Sequence, residues 1–383
     1  MKTVLAVGML DSVHFARWVK QFDPKEVNFI LFPSTPHRKI HPLLKIYVAE
    51  ARQRGHTARI SPIAHFFSIP LWLLDQVFAN RFRSSLLLRE LRKAKVDYLH
   101  ALEFQNAGYL AARTLIQMTN RPKFIATNWG SDIFWFRKDE RHLKRIRQVL
   151  DIADFYSCEC KRDVDLAREL GYRKDVLPVF PNAGGFSEQE LAKRLTKPAE
   201  RDIILVKGYE GWAGQARMAL EALARVERVW SSYRVVVFSA NRATRIAAKR
   251  LSREKQVEIV VHKKKALKHG QMLDLFAQSR LYLGVSRTDG ISTSLLEAMA
   301  MGSFPIQTST SCAGEWQSVK TKNLLLIEGS VESIAASVQF ALEMEDDLFQ
   351  DENLRIIRDR ALQSKISPLA RIFYDLEPLG SGI

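Results

Sequence analysis

Short apolar runs alternate with longer amphipathic stretches along the whole chain. TVLAVGM, VNFILFP and the strand from Asp97 to Leu102 are nearly continuous apolar runs, as expected of strands covered on both faces. Between them, HPLLKIYVAEARQRG, SSLLLRELRKAK and NAGYLAARTLIQMTN read as helices, the first stopped by Gly55. KFIATNWG, DIADFYSCE and DVLPVFPNAGG predict the remaining strands of this half, and HTARISPI is a short extended piece ending near Pro62. Strands separated by helices predict parallel βαβ units and an α/β layer fold.

The stretch SEQELAKRLTKPAERD, residues 187–202, is charged, contains a proline and reads as a linker. The alternation then restarts: IILVKGY, YRVVVFSA, VEIVVH, LYLGVS and SFPIQT predict strands. ARMALEALARVERVW, NRATRIAAKRLSREK, HGQMLDLFAQS, STSLLEAMAMG and SVESIAASVQFALEM predict helices, the last with Ile334, Val338 and Leu342 at helical spacing. The expectation is two doubly wound, Rossmann-like domains, residues 1–190 and 200–365, facing a central cleft. In such sheets ligands gather at the carboxyl ends of strands, so the loops after strands are where chemistry belongs.

Composition narrows this picture. With 383 residues, 46% of them hydrophobic, the chain can bury a core in each half. No apolar run reaches the roughly 18–20 residues of a membrane span. The opening MKTVLAVGML stops at Asp11 without a small-residue cleavage site, so it reads as a buried strand rather than a signal peptide, and an intracellular location is expected. Three cysteines, Cys158, Cys160 and Cys312, suit neither a disulfide framework nor a zinc site. The formal charge of +16 implies an anionic partner: nucleic acid, an anionic membrane surface or a phosphorylated substrate. No P-loop, HExxH, GxGxxG or Ser-His-Asp order is present.

One stretch concentrates candidate chemistry. After LYLGVS come Arg287, Thr288, Asp289 and Gly290, then Ile291, Ser292 and Thr293 lead into a helix that carries Glu297 and ends at Gly302. A helix start offers free amides and a positive dipole end to a phosphate or sugar hydroxyl, and Gly290 admits close backbone approach. The competing reading is local: Ser294-Leu295-Leu296-Glu297 fits a capping box, with Asp289 a solvated turn residue.

In this stretch the sequence resembles the family 4 glycosyltransferases of GT-B architecture. Their second domain carries an acid, seven intervening residues, then Glu followed by Ala-Met-Ala and Gly; Asp289…Glu297-Ala298-Met299-Ala300-Met301-Gly302 is similar, with Asp289 where the family usually has Glu. DYLHALEF (97–104), TNWGSDI (127–133), FPNAGGF (180–186) and SCAGEW (311–316) resemble further landmarks in family order. The resemblance implies that Asp289 contacts donor-sugar hydroxyls, that the Gly290, Ile291 and Ser292 amides contact sugar or diphosphate, with Thr293 beside them, and that Glu297 binds the ribose. It implies transfer with retention from a UDP- or GDP-sugar to a glycan or lipid-linked acceptor, in cell-surface polysaccharide or lipopolysaccharide synthesis. It also implies no cofactor and no metal, since cations and a helix end neutralise the leaving diphosphate. The first domain would hold the acceptor and the second the donor, with residues 366–383 packing back on the first. Base recognition would fall around His262 to Lys265.

The pattern departs from the family in places. Lys207, at the end of IILVK, is either a diphosphate ligand or a surface lysine; the family's second cation would fall near Gly214 and Gln215, which are uncharged. Arg217 and Arg287 are the candidate substitutes, Arg217 reading more simply as a surface residue. Trp129 stands where the family often has an active-site His and is either a sugar-stacking ring or core. His100 is either a cleft residue or a structural histidine. Asp11, Ser12 and His14 follow the first strand and either line the acceptor side or open the first helix; Asp132 bonds a hydroxyl or caps the next segment. In residues 65–85 the apolar Leu71, Trp72, Leu74, Val77 and Phe78, followed by Arg81 and Arg83, suit either a helix at the inner face of the cytoplasmic membrane or one packed on the domain core. Two other functions stay open: a nucleotide-sugar epimerase or hydrolase on the same fold, and a non-enzymatic basic protein binding membrane or nucleic acid. The absence of an aromatic-interleaved basic groove or nucleic-acid motif ranks the non-enzymatic reading last, and no nucleic-acid partner is expected.

Overall fold

A computed structural model of the protein describes residues 1–78, 81–194, 200–344 and 348–376. It divides into two compact units, residues 1–185 with 364–383 and residues 186–363.

The first unit runs β1 (Lys2–Gly8), α1 (Val13–Lys20), β2 (Val27–Pro33), α2 (Pro42–Gln53), β3 (Arg59–Ile60), α3 (Pro62–Phe66), α4 (Ser68–Val77), α5 (Arg81–Lys93) and β4 (Tyr98–Leu102). It continues through a π-helical turn at Phe104–Gly108, α6 (Tyr109–Leu115), β5 (Lys123–Thr127), α7 (Ser131–Phe134), α8 (Glu140–Ile152), β6 (Phe155–Ser157), α9 (Lys161–Glu169) and β7 (Asp175–Val176). Among the described residues the sheet order is β3-β2-β1-β4-β5-β6-β7, with parallel pairing throughout. The pleat explains the continuous apolar runs: Leu5 and Val7 enter one core layer while Val4 and Ala6 enter the other.

The second unit runs α10 (Glu188–Arg194), β8 (Ile203–Lys207), α11 (Ala216–Ala224), α12 (Glu227–Ser232), β9 (Arg234–Ala240), α13 (Arg242–Lys255), β10 (Ile259–Lys263) and α14 (His269–Ala277). Then come β11 (Ser279–Gly284), α15 (Thr293–Ala300), β12 (Phe304–Thr308), β13 (Leu325–Ile327), α16 (Val331–Glu343) and α17 (Leu348–Arg360). Its order is β10-β9-β8-β11-β12-β13, again parallel, which is the doubly wound 3-2-1-4-5-6 arrangement. The strand order reverses between β8 and β11 here, and between β1 and β4 in the first unit.

After α17 the chain re-enters the first unit as α18 (Gln363–Ile372). Ile366, Ala370, Phe373 and Tyr374 pack into the core layer that holds Trp18, Phe22 and Phe29. Tyr374 accepts the Trp18 indole N–H at 3.0 Å, and Arg371 pairs with Glu26 at 2.7 Å.

Three expectations need revision. The stretch read as a linker begins as a helix, α10, and its residues 195–199 lie outside the described residues, as do 377–383 of the C-terminal segment. The single helix expected over ARMALEALARVERVW is two, because Val226 is extended (φ −107°, ψ 97°) and Trp230 turns back to donate to the Leu223 carbonyl. The segment around α4 is not a core-facing helix, since Ser68 and Asp75 are its buried residues.

Candidate functional site

The second unit builds its site where the strand order reverses. β8 ends at Lys207 and β11 ends at Gly284, and the chain after each strand is pinned to the other. Gln215 N–H donates to the Val285 carbonyl at 3.0 Å, and Arg287 N–H donates to the Ala213 carbonyl at 2.7 Å. The loop after β8 closes on itself through Ala216 N–H to Tyr209 O at 3.0 Å. Gly214 is required there: a Cβ would stand 2.3 Å from the Tyr209 carbonyl oxygen. Of the two positions near which a second cation was expected, Gly214 therefore cannot hold a side chain in this loop, and Gln215 carries an uncharged one.

Against this frame Lys207 Nζ donates to Asp289 Oδ2 and to Ser292 Oγ, each at 3.0 Å. Burial alone would pull the Lys207 ammonium down, but the Asp289 carboxylate overcomes it and holds the pKa above the ordinary lysine value. Asp289 Oδ1 accepts the Gly290 amide at 3.0 Å, which fixes the carboxylate at the loop tip. Ser292 is the N-cap residue of α15 by position, yet its side chain makes no cap bond; it serves Lys207 instead. The capping-box alternative is not realised. Ser294 lies inside α15, and the Glu297 carboxylate, 7% exposed, pairs with His269 Nε2 at 2.9 Å. Gly290, Ile291 and Ser292 are buried and Thr293 is partly exposed at the helix start.

Arg287 and Arg217 are both exposed, and Arg217 is tied at its backbone to Glu210 Oε2 at 2.8 Å. A further cation shares a ring with Lys207. The half-exposed Tyr209 ring has Lys207 Nζ 5.6 Å and Lys264 Nζ 5.5 Å from its centre. Sequence reading missed His269, Tyr209 and Lys264 as site members. His269 lies 28 positions from Glu297, so no local spacing links them; Lys264 was within the segment expected to meet a base.

The first unit gathers its polar side chains at the matching reversal. His100 is corrected to a core residue: it is fully buried, with Nδ1 2.7 Å from the Tyr374 hydroxyl and Nε2 2.7 Å from Thr127 Oγ1. Burial pushes it down to about 3, so it stays neutral and has no proton to give near pH 7. Asp132 is likewise corrected from a hydroxyl ligand to a loop organiser. Its Oδ2 accepts the Phe104 amide at 3.0 Å and the Trp129 amide at 2.9 Å, joining the turns after β4 and β5. Trp129 is partly buried against the β1 core layer, with its ring 6.0 Å from that of exposed His14. Asp11 and Ser12 are partly exposed after β1, Ser12 standing at the α1 N-cap position without a side-chain cap bond. A residue not foreseen, Glu103, follows β4 in a left-handed conformation (φ 96°), buried, with its carboxylate accepting the Asn106 and Ala107 amides at 2.9 and 2.7 Å. Burial, then the Glu103 charge, pushes Asp132 up to about 7 despite its two amide donors; burial pushes Glu103 up as well.

Comparison with known proteins fits this geometry. Residues 187–359 match the family model "Glycosyl transferases group 1". Comparison with curated proteins returned no match. Among solved structures, Anabaena HepE in complex with UDP and glucose superposes with a TM-score of 0.68 at 14% identity, covering 98% of this chain and 100% of its own. Sucrose-phosphate synthase from Thermosynechococcus elongatus gives 0.68 at 12% identity over 98% of each chain. A trehalose-6-phosphate protein of E. coli bound with UDP-2-fluoro glucose gives 0.67 at 12% identity, covering 99% and 100%. The shared fold is the GT-B architecture.

Proposed function

We propose that the chain, whose residues 187–359 match the family model of the group 1 glycosyl transferases, is a family 4 retaining glycosyltransferase taking its sugar from a UDP- or GDP-sugar. The Lys207–Asp289–Ser292 cluster at the β8/β11 reversal carries this reading. On binding, Asp289 accepts hydroxyl protons of the donor sugar and Lys207 turns its remaining donor capacity to the diphosphate. The Ile291 and Ser292 amides, at the positive end of α15, serve the same leaving group, while the Gly290 amide holds Asp289 in place. Glu297, already held by His269, accepts the ribose hydroxyls.

When the bond from the sugar to the diphosphate breaks, negative charge grows on the departing phosphate, and cations aimed there lower the barrier without a metal. Lys264 supplies the second charge. Two ammonium groups share one Tyr209 ring, an arrangement that an anion between them would stabilise. This role passes to Lys264 from Arg217 and Arg287. The second unit then binds the donor and the first the acceptor, with Trp129, Asp11 and Ser12 beside the β1 end. The acceptor is a glycan or a lipid-linked glycan at the inner face of the cytoplasmic membrane, as cell-surface polysaccharide or lipopolysaccharide synthesis requires.

The test is transfer from a panel of nucleotide sugars, followed by mass and by the anomeric configuration of the product. Asp289→Ala and Glu297→Ala are expected to lose most of the activity. Full activity in both variants would remove the site assignment. Donor breakdown without any acceptor would make the chain a hydrolase or epimerase instead.

A further inference from the structure

Helix α4 of the first unit is built inside out. Its buried residues are the polar Ser68 and Asp75, while Ile69, Leu73, Leu74 and Val77 face water. The buried pair has defined work. Ser68 Oγ donates to the His37 carbonyl at 3.2 Å. Asp75 accepts the Phe82 amide at 2.9 Å and the Arg83 guanidinium at 2.7 Å, and both members of that ion pair are buried. Polar contacts therefore anchor the helix, and its apolar side is left outside, the reverse of an amphipathic helix on a water-facing surface. The apolar surface is contiguous in sequence: Phe66 is 76% exposed and Phe67 57% just before α4, and Val77 is 77% exposed and Phe78 46% at its end. Single exposed apolar residues are ordinary, but a clustered patch marks an interaction surface.

The charge around this patch is mainly positive. Residues 27–90 contain nine Lys or Arg and three acids, Glu50, Asp75 and Glu90. Glu50 pairs with Lys20, Asp75 with Arg83 and Glu90 with Arg59. Arg38, Lys39, Lys45 and Arg81 are exposed. Lys45 is close enough to His65, the residue before Phe66, to lower its pKa, though burial and then His37 lower it more. Arg38 and Lys39 follow His37, whose Nε2 is 2.7 Å from His65 Nδ1. Arg81 N–H donates to the Phe78 carbonyl at 3.2 Å. The result is an apolar centre with a cationic border. A second copy of this chain would bring two such borders together and repel; an anionic bilayer matches both centre and border.

We propose that the α3–α4 face is a docking surface for an anionic lipid leaflet. Phe66, Leu73 and Val77 enter the interfacial region, and Arg38, Lys39, Lys45 and Arg81 meet the head-group phosphates. Arg83 is excluded from that set because Asp75 holds it inside. Among the described residues no helix is long and apolar enough to cross a membrane, and docking of this kind needs none. The surface belongs to the first unit, and the residues of the proposed donor site belong to the second.

Sedimentation of the full chain with vesicles tests it. Phosphatidylcholine vesicles containing phosphatidylglycerol are expected to bind the protein about tenfold or more tighter than pure phosphatidylcholine, an advantage that falls with salt. The triple variant Phe66→Ser, Leu73→Ser, Val77→Ser is expected to lose binding by about tenfold or more, and Lys45→Glu with Arg81→Glu to lose the preference for anionic lipid. Ile246→Ser, at an exposed apolar residue of the second unit, keeps binding. Near-UV circular dichroism confirms that each variant is folded. Absence of vesicle binding by the native chain, or unchanged binding by the folded triple variant, overturns the proposal. So does a dimer seen by light scattering that the triple variant abolishes while vesicles leave the native chain unbound.

Discussion

Lys207 has two acceptors at 3.0 Å, the Asp289 carboxylate and the Ser292 hydroxyl, and on the proposed function the diphosphate is a third. Lys207→Met is expected to lower kcat by about 10²–10³-fold, the size of losing one group aimed at developing charge, and to lower the melting temperature because Asp289 loses its partner. Steady-state kinetics beside a thermal melt checks both halves. Lys264→Met is expected to weaken nucleoside diphosphate binding more than nucleoside monophosphate binding, read by calorimetry; equal losses would remove Lys264 from the diphosphate. Asp132 gives a prediction in pH. Its folded pKa is pushed up to about 7, while an unfolded aspartate titrates near about 3.9. Between those values the folded chain holds a proton at Asp132 that the unfolded chain releases, so the contribution of this group to stability is greatest below pH ~4 and is lost as pH rises towards ~7. Asp132→Asn keeps an oxygen for the Phe104 and Trp129 amides and is expected to flatten that slope, measured as melting temperature against pH.

Elements show how far the sequence could be read. The strands were legible because parallel strands are buried on both faces: VNFILFP was expected and β2 is Val27–Pro33, every residue buried. The Asp289 loop was legible because strand, glycine and helix start are consecutive. His100 was not, because a histidine at a strand end says nothing about what covers it, and its partner Tyr374 arrives just after α18, 274 positions away. α4 was ambiguous for another reason: its apolar content fits a core helix or a surface one, and only the inward Ser68 and Asp75 decide. The loop after β8 carries an element-scale prediction. Gly214→Ala would drive a Cβ onto the Tyr209 backbone, where no side chain can rotate away. The expected cost is about 1–3 kcal/mol together with weaker donor binding, because Tyr209 and the Val285–Arg287 segment must shift. Urea unfolding and nucleotide titration of the same variant measure the two effects.

At the scale of the whole molecule, each unit has its own sheet, and one core is completed from a distance. Trp18 touches Phe22, Phe180, Phe373 and His100 and donates to Tyr374, so Trp18→Ala is expected to destabilise the first unit by about 3–5 kcal/mol. Its unfolding transition in calorimetry should move down. The return of α18 also sets an order of biosynthesis. Residues 364–376 leave the ribosome only after all of the second unit has been made, so the first unit is translated early yet completed late. Until then the surfaces around Trp18, Phe22 and Phe29 await their cover, and chaperones have a client of known address. A nascent chain halted before residue 364 would carry a finished second domain behind an unfinished first one, giving proteolytic quality control a simple way to distinguish complete from interrupted synthesis.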